Sequence, residues 1–118
     1  MLRSLCFATA IVLSGVTTGF AADLIEKTSP YSVSETMDRL SAAVKGAGAT
    51  VFARVDHGAG AASVDMELAA SQLLIFGNPK LGTPAMQDAS TAGLDLPLRV
   101  LAYFRDDGLV RVVYHDPA

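Results

Sequence analysis

Leu73-Leu74-Ile75-Phe76-Gly77-Asn78-Pro79-Lys80-Leu81-Gly82-Thr83-Pro84 constrains this chain more than any other stretch. Four consecutive apolar residues predict a strand buried on both faces, because period-2 alternation disappears where neither side of a strand meets water. The run then stops at turn chemistry in Gly77-Asn78-Pro79. Gly82 is suited to a positive φ, and Thr83-Pro84 predicts a helix N-cap followed by proline at the first helical position. A buried strand would thus deliver a tight loop into a helix start, where free backbone N–H groups meet a ligand. Gly77, Asn78, Lys80, Gly82 and Thr83 are therefore the candidate ligand-binding residues, with His57 expected on the same edge.

The first residues belong to a different category. Met1 to Ser4 carries one positive charge, Leu5 to Val16 is almost wholly apolar, and Gly19-Phe20-Ala21 places small residues where a signal peptidase reads them. This is the pattern of a secretory signal peptide over residues 1–21, and the apolar run falls short of the ~20 residues of a membrane-spanning anchor. Cleavage after Ala21 leaves 97 of the 118 residues as one small domain, 22–118, in the periplasm or secreted, and not membrane-embedded once the signal is gone. The only cysteine, Cys6, leaves with the signal, which removes disulfides, thiolate metal sites and cysteine nucleophiles from consideration.

Eight Lys and Arg remain against twelve Asp and Glu, and the basic residues are scattered. Phosphate-backbone affinity needs a concentrated basic face, so nucleic acid is excluded as an expected partner.

Along the chain, Leu24–Ser29 reads as a first strand ended by Pro30. Ser32-Val33-Ser34-Glu35 matches a capping box, and Val33, Met37, Leu40, Val44 and Ala47 follow at helical spacing as one apolar stripe. Gly46 and Gly48 end that helix. Thr50–His57 alternates, with Val51, Ala53 and Val55 on one face and Phe52 and Arg54 on the other. Gly58–Val64 is a short helix or a turn. A short helix is predicted from Pro84 to about Ala89, and Pro97 keeps Gly93–Pro97 out of any central strand. Leu98–Phe104 and Leu109–Tyr114 flank Asp106-Asp107-Gly108, a hairpin turn. The expected fold is α/β (α+β), two-layer, with one mixed or antiparallel sheet of about five strands and helices packed on it, in the order strand-helix-strand-helix-strand-helix-strand-strand.

Several short motifs carry a family resemblance: Asp56-His57, Ala61-Ala62, the Leu73–Lys80 run, Gly82-Thr83, Met86-Gln87, Leu94-Asp95-Leu96-Pro97-Leu98, and Tyr114 with Asp116-Pro117. Together they resemble the domain of unknown function 302 family across nearly all of residues 22–118. The resemblance implies a small α/β domain, often exported from bacteria, with no assigned activity. The chain departs from the family at Asp65, where glycine is usual, and at His115, where asparagine is usual. It also ends near Asp116-Pro117-Ala118, where relatives generally continue into a C-terminal helix. A sheet face without that cover implies a homodimer or poor solubility.

Other chemistries fare worse. Gly77–Thr83 lacks the lysine that a phosphate loop places before its hydroxyl, which rejects an NTPase. His57 and His115, each beside an aspartate, would suit zinc or copper, but nothing in their spacing joins them. Ser63 or Thr83 with His57 and Asp95 lacks any nucleophile elbow. The leading expectation is a non-catalytic module for a small ligand or anion, with no cofactor or metal. The alternatives are a structural or protein-interaction domain and a metal-dependent enzyme at His57.

Overall fold

The computed structural model describes residues 24–116. The signal segment 1–21 lies outside the described residues, as do Ala22, Asp23, Pro117 and Ala118. Strand β1 (Leu24–Ser29) leads to helix α1 (Val33–Gly46), then β2 (Thr50–Asp56) and α2 (His57–Ser63). Strand β3 (Ser71–Gly77) is followed by α3 (Pro79–Asp88), a 3-10 helix (Ser90–Leu94), β4 (Leu98–Phe104) and β5 (Val110–His115). The five strands form one antiparallel sheet in the order β1-β5-β4-β3-β2. This is the α+β architecture that the alternation and the helical stripe predict.

Helix α1 begins where Ser32 Oγ accepts the Glu35 amide at 3.1 Å, half of the expected capping box. The Glu35 carboxylate turns to Arg39 at 3.6 Å instead. Val33 and Met37 are buried, and Leu40 and Val44 pack beside them, so the predicted stripe as far as Val44 is the face that meets the sheet, while Ala47 is the exposed C-cap. Leu74, Ala102 and Val110 complete this core. Two polar ties fix the helix. Ser29 Oγ and Thr36 Oγ1 share a buried hydrogen bond of 2.7 Å, and Arg54 of β2 donates to Asp38 Oδ1 at 2.6 Å and to the Ser34 carbonyl at 3.0 Å.

Register decides which side of the sheet is dry. Ser29, Leu74, Ala102 and Val110 are the buried strand residues among those described, and the pairings Ser29↔Val110, Ala102↔Val112 and Leu74↔Val100 put all four on the α1 side. On the opposite side, Leu73, Ile75, Leu101 and Val113 are only half-buried. The expectation that β3 is buried on both faces is therefore corrected: Leu74 is fully buried while its neighbours Leu73 and Ile75 are only half-buried on the opposite face. A run of four apolar residues reflects here an apolar outer surface, not a second layer.

Three local expectations also change. The β2 alternation breaks at a bulge between Val51 and Ala53, which turns Phe52 toward Gly77. His57 does not end the strand; Asp56 caps α2 by accepting the Ala59 amide at 2.9 Å, and His57 is the first residue of that helix. Gly82 is helical, and among the described residues the positive-φ glycines are Gly48 and Gly108, the latter at the hairpin turn that Asp106-Asp107-Gly108 predicts.

Candidate functional site

The helix after β3 starts five residues earlier than Thr83-Pro84 suggests. Asn78 is its N-cap, with Oδ1 accepting the Lys80 amide at 3.0 Å, and Pro79 fills the first position, where a missing N–H costs nothing. Both pairs, Asn78-Pro79 and Thr83-Pro84, carry the same start signal. The pair next to the strand end takes the role, and Pro84 is absorbed inside α3. Gly77–Thr83 is consequently a strand end and a first helical turn, not a loop.

That shift removes the anion cradle. The Lys80 amide is held by Asn78 Oδ1, and the Leu81 and Gly82 amides donate to the Asn78 carbonyl at 2.9 and 2.8 Å. Pro79 has no N–H. The donors expected to face an anion are engaged with the cap, and the side chains of Lys80 and Thr83 are exposed.

In place of the cradle, the strand tip opens into a mostly apolar cleft of about 190 Å³. Phe52 and Gly77 form one wall, Pro79, Gly82, Thr83 and Met86 of α3 a second, and Gly93, Leu96 and Pro97 a third. The Leu96–Pro97 peptide is cis. The width of the cleft depends on its glycines. A Cβ on Gly77 would stand 3.3 Å from Phe52 Cε2 and 3.4 Å from Pro97 Cβ, one on Gly82 would stand 3.6 Å from Leu96 Cδ1, and one on Gly93 would come within 3.2 Å of Met86 Sδ. Three side chains that stop at hydrogen leave the space open. Phe52 is 53% exposed and Met86 38%, so both cleft walls present apolar surface to solvent.

The cleft thus unites Gly77, Asn78, Gly82 and Thr83 from the sequence-based set, while the Lys80 side chain is not among its lining residues. His57 is displaced altogether. Gly77 pairs with Thr50, at the start of β2, whereas His57 follows Asp56 at its end, six residues or about 20 Å of strand away. His57 therefore does not share an edge with the cleft. His115 is at the end of β5, two strands from β3, and the described residues hold no group of three His, Cys, Asp or Glu placed to bind a metal.

Phe52, Pro79, Met86, Gly93, Leu96 and Pro97 are missing from the sequence-based site. Met86 and Leu94–Leu98 belong to the quoted family motifs, a signal that points to them without assigning a role. Phe52 gives no such signal, because only the bulge turns it inward.

At the opposite end, Tyr103 donates to Glu26 Oε1 at 2.9 Å, and that bond raises the phenol pKa above its ordinary value. Asp107 accepts the Leu109 amide at 3.0 Å and pairs with Arg111 at 2.9 Å; the amide bond foremost lowers its pKa. Tyr103 ties β4 to β1, while Asp107 braces the turn of the β4–β5 hairpin.

The family model described as domain of unknown function DUF302 matches residues 25–118. The chain belongs to the DUF302 family. An uncharacterized conserved DUF302 protein from Bacillus stearothermophilus has a crystal structure that superposes with a TM-score of 0.73 at 17% identity, covering 80% of this chain and 73% of that one. The likeness confirms the fold. Proteins named fluoride-specific ion channel FluC 1 from Brucella suis and from Brucella abortus are each 48% identical to this chain over 95 residues, 80% of its length. The DUF302 chain spans only 37% and 35% of those two relatives. Among its own described residues, no helix is long and apolar enough to cross a membrane.

Proposed function

We propose that this DUF302 domain is an exported, non-catalytic binding module whose glycine-widened cleft holds a small apolar group. The observation that carries the proposal is the Gly77, Gly82 and Gly93 triplet, which keeps side chains out of a space walled by Phe52, Met86, Leu96 and Pro97. A cavity of about 150 Å³ is known to hold benzene. At about 190 Å³, this cleft suits one six-membered ring or a short alkyl chain, with Asn78 and Thr83 at the wall to meet a polar substituent. Export rests on Leu5–Val16 and Gly19-Phe20-Ala21, and the mass of the exported chain, beginning at Ala22, is the check.

Amide NMR titration with indole, cyclohexanol and hexanoate, against phosphate, sulfate and fluoride as controls, tests the cleft. The apolar probes should move the Gly77, Gly82 and Gly93 amides. Gly93→Ala, which sets a methyl against Met86, should weaken that response while leaving the spectrum folded. Shifts centred on His57, or a response to the anions alone, would overturn the proposal.

The Brucella relatives support a second reading, in which the domain acts as an accessory unit beside a membrane protein. Fluoride itself finds no free amide donor among Lys80, Leu81 and Gly82, so that reading concerns docking to a protein and not capture of the ion.

A further inference from the structure

Two polar side chains line the cleft, and they differ in what they can offer a ligand. Asn78 and Thr83 stand on the α3 side, while the side chains of Phe52, Met86, Leu96 and Pro97 carry no hydrogen-bond donor. Among the described residues, no Lys, Arg or His lines the cleft.

The helix cap decides the hydrogen-bonding character of Asn78. Its Oδ1 accepts the Lys80 amide at 3.0 Å, and its backbone carbonyl accepts the Leu81 and Gly82 amides at 2.9 and 2.8 Å. Only the oxygen of a carboxamide can accept an N–H, so the cap fixes which end of the side chain is which. Both oxygens of Asn78 are turned to α3, and Nδ2 is the end left over. Nδ2 finds no acceptor among the described residues. Asn78 is half-buried at the cleft wall, so a ligand that fills the space takes water from this donor. A donor stripped of water and left unpaired costs more than the same bond gains when it is made. The cleft therefore selects for a group that accepts from Nδ2. The Thr83 hydroxyl rotates to donate or accept and does not set the preference.

We infer that the ligand is a compact, uncharged carbonyl compound, a ketone, ester or amide, whose oxygen accepts from Asn78 Nδ2 while its hydrocarbon part lies against Phe52 and Met86. This rests on the reading of the cleft as a site for a small apolar group, and adds the polar group that the ligand must carry. A carboxylate also accepts hydrogen bonds. In this cleft it would give up its hydration without a lining cation to replace it, which disfavours the charged form.

Three probes that share one ring and differ in the polar group test the inference: acetophenone, ethylbenzene and benzoate. On the wild-type protein, acetophenone should move the Asn78 side-chain amide protons downfield in NMR titration, and ethylbenzene should not. Benzoate should bind at least tenfold more weakly than acetophenone. Asn78→Ser keeps an oxygen that caps α3 but lacks Nδ2, and circular dichroism checks that the helix is retained. In this variant the acetophenone affinity should fall about fivefold, the worth of one neutral hydrogen bond, while ethylbenzene binds no more weakly than before. Asn78→Asp also caps and replaces the donor by a charge, and should weaken acetophenone at least as much. Benzoate equal to acetophenone, unmoved Asn78 side-chain protons, or an acetophenone affinity indifferent to both substitutions would overturn the carbonyl assignment and leave the apolar cleft standing. If neither acetophenone nor ethylbenzene moves the Gly77, Gly82 and Gly93 amides, the cleft reading itself falls, and this inference with it.

Discussion

Leu74→Ala removes three carbons from the one β3 side chain that is wholly enclosed, packed with Met37 under α1 and beside Ala102. At about 0.8 kcal/mol per buried carbon, the transfer loss is ~2.4 kcal/mol. A cavity term is added, because α1 is tied to the sheet by the Arg54–Asp38 and Ser29–Thr36 contacts and cannot settle freely into the gap. The total is about 3–4 kcal/mol. Domains of this size are stable by roughly 5–15 kcal/mol, so one substitution removes a large share. Leu73→Ala, one residue along and chemically identical, removes the same carbons from the half-buried face and should cost only about 1 kcal/mol in the monomer. Urea unfolding of both variants at low protein concentration, read by circular dichroism, measures the difference as a shift in midpoint with the slope unchanged. Equal losses would refute the assignment of the dry core to the α1 side alone.

Two further outcomes follow from single groups. Asn78→Ala deletes the acceptor of the Lys80 amide, should destabilise the domain by about 1 kcal/mol, and should speed hydrogen exchange at Lys80, Leu81 and Gly82 ahead of α1. Asp107 has a lowered pKa in the fold, so its contribution is present above the ordinary carboxylate range and fades as pH falls through its folded value. Asp107→Asn should therefore be less stable than wild type at neutral pH, with the gap closing on acidification in thermal melts; a gap independent of pH would refute a carboxylate held in its charged form by the Leu109 amide and Arg111.

Much of the fold was legible because its signals are local. Ser32-Val33-Ser34-Glu35 and the stripe from Val33 to Val44 specify α1 through capping and 3.6-residue spacing, and Asp106-Asp107-Gly108 specifies a hairpin through Gly108 at φ 82°. Leu24–Ser29 and its arrest at Pro30 were equally plain. The helix after β3 was misplaced because Asn78-Pro79 and Thr83-Pro84 are equivalent start signals, and only the length of β3 selects between them.

The sequence by itself pointed to one mixed or antiparallel sheet of about five strands with a helix packed on it and a glycine-flanked strand tip, and its short motifs carried the resemblance to the DUF302 family. The sheet, the helix and the strand tip follow from periodicity, caps and turns within a few residues of one another, and the family from motifs spread along the chain. Only the tertiary structure decided that the tip lines a mostly apolar cleft, that His57 stands a strand length away, and that one face holds the dry core while the other is half-buried. Those outcomes depend on register and on a bulge, which bring together residues as distant as Phe52, Gly77 and Pro97, and no window of neighbouring residues contains them.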